Sequence, residues 1–455
     1  MSVNLSRGEN LFMKNSIAKE FHFFSLLKFA FPSMIMMIFT SLYTMIDGIF
    51  VSRFIGTNAL SAVNIVFPLC NIIMAIGIML GTGGSAVIAK KLGEGKNREA
   101  KENFSLITVA GAILGLTVLI LCFIFIEPIL EMLGTNEVLY KLCYDYATVY
   151  LLFAPLCVLQ LFFQYLYVAA GKPTMGLIVT IIGGVTNAVL DFIFIAVLDF
   201  GVKGAAFATG IGILVPAMYG LLYFSINRKG SCYLVKPKMD KKVLLNSCSN
   251  GASEMVSNIA LSVVTILFNL IMMRLLGEDG VAAITIMLYA QFFLSAIFMG
   301  FSMGVAPVIS YNYGSQNINQ IKKVFKYCMI FILVCSILCC INDTIFSPLI
   351  ITIFAAKGSN VYNIAMEGFG IFSISFLFAG INIFTSSLFT AFSNGKVSAI
   401  IAFMRTFVFI TVCLVSLPAL FGVNGVWISI TMAELLSTIM CFIYIIVYKK
   451  KYHYI

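Results

Sequence analysis

Apolar runs of about 20 residues recur from Phe29 to Val447, separated by short polar breaks. A run of that length carries a helix across the hydrocarbon of a bilayer. The pattern predicts spans over 29–53, 59–88, 104–126, 143–170, 174–198, 202–226, 248–275, 281–310, 325–346, 366–391, 397–420 and 426–447. The fold class is therefore an all-α polytopic membrane protein with twelve transmembrane helices. The longest polar break, 227–242, divides them into two sets of six. The expected organisation is an N-terminal segment 1–28, an N-lobe 29–226, a linker 227–245, a C-lobe 246–448 and a tail 449–455.

The two sets repeat. Arg53-x-x-Gly56 recurs as Arg274-x-x-Gly277, an offset of 221 residues. The same offset pairs Gly83 with Gly304, Gly93 with Gly314, Phe104 with Phe325, and Phe200-Gly201-Val202 with Phe421-Gly422-Val423. Each match is weak alone, but one register held over about 150 residues is not. Six spans per copy give both copies one orientation. The two six-helix lobes are then related by a pseudo-two-fold axis along the membrane normal, with a substrate site between them.

Polar residues inside the apolar runs depart from that symmetry. Asp191 sits within the fifth run, and Asn187, four residues earlier, shares its helix face. Thr209 lies in the sixth run and Asp47 near the end of the first. Counted from the turns at a rise of roughly 1.5 Å per residue, Asp47, Asp191 and Thr209 lie about 10 Å from one membrane surface, with Asn187 on the Asp191 face. Their repeat equivalents are Phe268, Val408, Val412 and Ile430, so only the first lobe carries the cluster. A carboxylate in lipid costs several kcal/mol and by default marks an ion or transport site. Carboxylate, amide and hydroxyl are hard oxygen ligands suited to a small cation. The alternatives are carboxylates paired with other helices, Asn187 as an interhelical hydrogen bonder, and Thr209 bonded to its own backbone.

Other candidates are single residues. Tyr43, Gln160 and Gln164 are possible cavity residues, with Met34, Met36, Met37 and Met45 as adaptable lining. Glu434 is intramembrane and reads equally as a substrate-facing charge or a partner for Arg405. Arg405, inside the eleventh span, needs a partner. The repeat makes the seventh and eleventh spans neighbours, which points to a structural charge pair of Glu254 with Arg405, Glu434 being second choice. Asp199 and Lys203 are expected to be solvated at an outer turn.

Charge placement sets the orientation. The net charge of +10 suggests nucleic acid until it is mapped. Of the 29 Lys and Arg, 23 fall on the side holding both termini and 5 on the other, which places both termini in the cytoplasm. The 12 cysteines form no CxxC pair, and both histidines, His22 and His453, lie near the termini. Neither a metal centre nor an intramembrane enzyme is indicated.

The chain resembles the multidrug and toxic compound extrusion (MATE) family, in its prokaryotic branch. The residues that carry the resemblance are Pro32 and Asp47 in the first span, LGTGGSAVIAKKLGEG at 80–95 and AAGKP at 169–173. Asn187-x-x-x-Asp191, GVKGAAFAT at 201–209 and GVNGVW at 422–427 complete it. The resemblance covers nearly the whole chain. It implies a cation-coupling site at Asp47, Asn187, Asp191 and Thr209, with Na⁺ as the metal it would hold or H⁺ in its place. It also implies a V-shaped cavity between lobes, alternating access, and export of amphiphilic organic cations against inward Na⁺ or H⁺. Pro32 reads either as a helix-start proline or, by the resemblance, as a gating bend. The expected protein is a monomer in a prokaryotic inner membrane, in contact with small-molecule substrates and the lipid bilayer, without a cofactor or a nucleic-acid partner. The alternative is a flippase for a lipid-linked saccharide, for which a strongly basic central cavity is expected.

Overall fold

In hydrocarbon every backbone N–H and C=O must be satisfied within its own segment, so the apolar runs have helix as their only open-chain solution. A computed structural model describes residues 16–135 and 137–455. Residues 1–15, with Arg7 and Lys14, lie outside them, as does the side chain of Met45. The helices are α1 (Phe23–Phe50), α2 (Thr57–Gly93), α3 (Asn97–Ile124), α4 (Ile126–Met132), α5 (Glu137–Leu152) and α6 (Ala154–Ala169). They continue as α7 (Pro173–Asp191), α8 (Gly201–Ile226), α9 (Lys241–Gly314), α10 (Ile318–Phe354) and α11 (Asn360–Phe372). The last four are α12 (Phe376–Ala391), α13 (Gly395–Phe403), α14 (Ile410–Phe421) and α15 (Val423–Tyr452).

Ten of these helical stretches are long and apolar enough to cross a membrane, and the pair α5–α6, bent by 57°, adds an eleventh. The 74-residue α9 holds two spans that meet at Gly277, where φ is 65°. Twelve spans result among the described residues. The repeat is visible in the backbone. Gly277 matches Gly56 (φ 117°) at the 221-residue offset, and Gly422 (φ 57°) matches Gly201 (φ 58°). Each is a turn at the same end of the bundle, in a conformation that side-chain-bearing residues avoid.

Several boundaries differ from expectation. The fourth span is bent rather than straight, because the chain breaks at Phe153 before Pro155 can start α6. The stretch without helix after α8 is 227–240, since Asp240 caps α9 by accepting from the N–H groups of Lys242 and Val243. At the other end, α15 runs to Tyr452, and Tyr454 is buried against Phe325 and Phe392.

The lobes touch at the end of the bundle that carries segment 16–22 and the end of α15. A methyl on Gly83 of α2 would overlap the Ser247 carbonyl of α9 and come 2.6 Å from Gly251 N. Gly93 and Gly314, repeat equivalents, meet the backbones of Tyr311 and Lys90 in the same way. Segment 16–22 lies across this contact. Ser16 Oγ donates to the Gly171 carbonyl in one half, and Gln320 Nε2 of the other half donates to the Phe21 carbonyl at 3.0 Å. A side chain at Gly83 has no room while α2 and α9 touch. Gly83→Val is therefore expected to widen the distance between spin labels at Arg98 and Gln316, and an unchanged distance would show that the contact yields locally instead.

Candidate cation site and the C-lobe charge cluster

Small residues bring three helices of the first lobe together. Phe39 and Tyr43 of α1 pack on Gly184 of α7, so that one turn later Asp47 faces Asn187 and Asp191. On the other flank Gly212 of α8 lies against Asn187, where a methyl would come 2.8 Å from Asn187 Cβ. That closeness draws in Thr209, three residues earlier on α8. The Asp47 carboxyl is within reach of the side chains of Asp191, Asn187 and Thr209. The four residues paired by sequence thus converge.

Convergence does not satisfy them. Asp191 is fully buried and Asn187 is 4% exposed. Asp47 Oδ1, both Asp191 oxygens and Asn187 Nδ2 are buried without a hydrogen-bond partner of acceptable geometry. No ion pair with Lys, Arg or His reaches either carboxylate among the described residues. Thr209 Oγ1 donates to the Ala205 carbonyl at 3.0 Å, the bond usual for a threonine in a span, so toward the acids it has no proton left to give. Two close carboxylates without a counter-charge form an arrangement that a bound cation or a shared proton stabilises.

Wide π-type turns adjoin both acids. Val51–Ile55 follows Asp47 by one turn, and Phe192–Val197 begins directly after Asp191. Such turns recur next to functional sites because they release backbone carbonyls and re-aim side chains. One neighbour escaped the sequence reading. Tyr146 of α5, buried, places its hydroxyl within reach of Thr209. Its ring stacks on Tyr150, whose hydroxyl lies 3.7 Å from Cys157 Sγ. The Tyr146/Tyr150 spacing of four was the available signal.

The remaining candidates disperse. Tyr43 is half-buried one turn from Asp47. Gln164 is 7% exposed, with Nε2 donating to Thr180 Oγ1 at 3.4 Å, so it ties α6 to α7; Gln160 is half-buried. Pro32 is the tenth residue of α1 and not a helix-start proline, because α1 begins at Phe23. Ser33 and Met34 beside it pack on Gly300 of α9. Lys203 is not simply solvated: it pairs with Asp145 at 3.2 Å.

The C-lobe pair is corrected. Arg405, in a π-type turn at Met404–Phe409, binds Glu434 of α15, not Glu254. Its Nε and Nη2 donate to Glu434 Oε1 at 3.0 and 2.8 Å. Asn382 of α12 donates to Glu434 Oε2 at 2.6 Å, and Thr438 donates to Asn382 Oδ1 at 3.0 Å. Glu254 on α9 forms no ion pair among the described residues, although the Arg405 charge acts on it. The reason is the hairpin at Gly422. Arg405 lies 17 residues before that turn and Glu434 12 after it, a height difference of roughly 7 Å at 1.5 Å per residue, which an arginine spans. Glu434 is thereby a bonded structural partner and not a free cavity charge.

The MatE family model matches the chain twice, over residues 32–193 and 255–415. The chain is 26% identical to the multidrug export protein MepA of Staphylococcus aureus (strain MRSA252) over 418 residues, 92% of each. It is 26% identical to MepA of Staphylococcus saprophyticus over 428 residues, 93% of this chain and 92% of the relative. Among solved structures it superimposes with a TM-score of 0.89 on an outward-facing multidrug resistance MATE family transporter, at 23% identity over 95% of this chain and 97% of the other. A MOP superfamily transporter from Pyrococcus furiosus gives the same TM-score at 22% identity, with the same coverage of both chains.

Proposed function

Since the chain belongs to the MatE family of multidrug export transporters, we propose that it is an antiporter that exports small amphiphilic organic cations in exchange for inward Na⁺ or H⁺. The observation that carries this reading is the pair of unpartnered carboxylates, Asp47 and Asp191, with Asn187 and Thr209 beside them. Na⁺ is accommodated by their oxygens, and a proton by the two carboxyls sharing it. Binding neutralises the repulsion between the acids and lets α1 and α7 close. Release restores it and favours the alternative packing, so cation and substrate bias one two-state equilibrium in opposite directions.

The membrane is taken to be the prokaryotic cytoplasmic membrane, with both termini and the 227–240 stretch inside, on the strength of the Lys and Arg bias. The protein is proposed to act as a monomer. A lipid-linked saccharide would need a basic cavity, whereas the deep basic residue Arg405 is neutralised by Glu434.

The test is ethidium counterflow in proteoliposomes, with Na⁺ and pH gradients imposed separately. Uptake or efflux driven by one of the two identifies the coupling ion, and no response to either rejects antiport. Introduced cysteines at Lys203 and Glu278 are expected to react from outside, and cysteines in 227–240 only from inside. The reverse pattern would invert the orientation.

A further inference from the structure

One buried acid takes no part in either cluster. Asp343 lies in the C-terminal half of α10, 1% exposed, on a stripe with Ser336, Cys339 and Ser347. The other faces of that stretch carry exposed Ile337, Leu338, Ile341, Ile345 and Phe346, as a lipid-facing helix does. The stripe packs against the 3-10 turn Ser373–Ser375 that joins α11 to α12.

The protons at this contact can be counted. Ser373 Oγ lies 2.7 Å from Asp343 Oδ2 and 2.7 Å from the Phe369 carbonyl oxygen. A serine hydroxyl holds one proton for those two oxygens. Asp343 Oδ1 is buried with no partner at all. No Lys, Arg or His forms an ion pair with it among the described residues. The titratable groups near it are the thiols of Cys339 and Cys340 on its own helix. The turn presents Ser373 and α11 the Phe369 carbonyl, while Glu367 of α11 is exposed, and Ser373 is the side chain that acts on Asp343 from the packed elements. An ionised Asp343 would hold a full charge in this site on a single hydrogen bond, at a cost of several kcal/mol. A carboxylic acid fits instead. It donates from Oδ2 to Ser373 Oγ, which donates onward to the Phe369 carbonyl.

From this geometry we propose that Asp343 is a second proton-carrying site, in the C-lobe, loaded when α10 is closed on the α11–α12 turn. Its repeat equivalent in the first lobe is Cys122, so it is no copy of the Asp47–Asp191 site. Loss of the proton leaves a carboxylate that needs water, and opening of the contact at Ser373 admits it. The role in transport rests on the cation-coupled reading; the proton itself does not.

The experiment is infrared difference spectroscopy of the full chain in liposomes, between acidic and alkaline pH and with and without ethidium. A carboxylic-acid C=O band is expected that is lost in Asp343→Asn, shifted in Ser373→Ala and kept in Asp47→Asn and Asp191→Asn. It should bleach as pH rises and respond to ethidium. If Asp343→Asn misfolds, the Ser373→Ala shift carries the test. Identical spectra for wild type and the variants would mean an ionised Asp343 and would overturn the proposal. A band that stays at every pH, with or without ethidium, would make Asp343 a locked structural acid and overturn it equally. If ethidium flux answers neither a Na⁺ nor a pH gradient, the antiport reading fails while the Asp343 band is unaffected, so the two failures are separable.

Discussion

Asp47→Asn and Asp191→Asn are each expected to reduce gradient-driven ethidium efflux to the level of empty liposomes. Each removes one of the two charges that make the buried site attractive to a cation. Asp47 Oδ1 and both Asp191 oxygens have no hydrogen-bond partner, so the amide that replaces either carboxylate breaks none at those atoms. Neutralising one acid also ends its repulsion by the other. The melting temperature in detergent should therefore stay level or rise, which separates a lost site from a lost fold. Asn187→Ala removes a neutral ligand and should weaken cation dependence by about tenfold, the effect of roughly 1.4 kcal/mol. Efflux at wild-type rate in either aspartate variant would move the coupling site elsewhere.

Glu434→Ala is expected to be the most destabilising change in the C-lobe. It strips the 18%-exposed Arg405 side chain of its bidentate partner and leaves Asn382 Nδ2 without the Glu434 carboxylate. Breaking a buried pair from one side costs about 3–5 kcal/mol. Removing both charges costs far less, since no lone ion remains. Arg405→Met with Glu434→Leu should recover most of the loss. Glu254→Gln should melt close to wild type, because Glu254 holds no ion pair. Thermal unfolding in detergent, with yield from membranes, reads all three. A normal Glu434→Ala beside a damaged Glu254→Gln would restore the pair inferred from the repeat.

That pair shows where sequence reasoning stops. The repeat made α9 and the Arg405 segment neighbours, and they are in contact. Neighbourhood does not choose a partner, though. Glu434 was reachable by counting residues through the hairpin at Gly422, a local fact that the long-range symmetry argument passed over. Asp343 was missed for a similar reason. It lies three residues before the end of the span read as 325–346 and was not singled out, whereas α10 runs on to Phe354 and buries it.

The sequence by itself determined the span pattern, the two-copy architecture and the asymmetric placement of Asp47, Asn187, Asp191 and Thr209. Those features are local: a run length, an offset, or a polar residue in an apolar stretch, each fixed by the cost of bare backbone or charge in lipid. Only the tertiary structure decided what each polar group meets. Tyr146 joined Thr209, Gln164 bonded Thr180, Lys203 found Asp145 and Arg405 found Glu434. It also left Asp47, Asp191 and Asp343 with orphaned oxygens. The physical reason is range. Hydrogen bonds and ion pairs act within about 4 Å. Helix rotation, the 57° bend between α5 and α6 and the π-type turns move side chains by more than that, and packing of the whole bundle sets them.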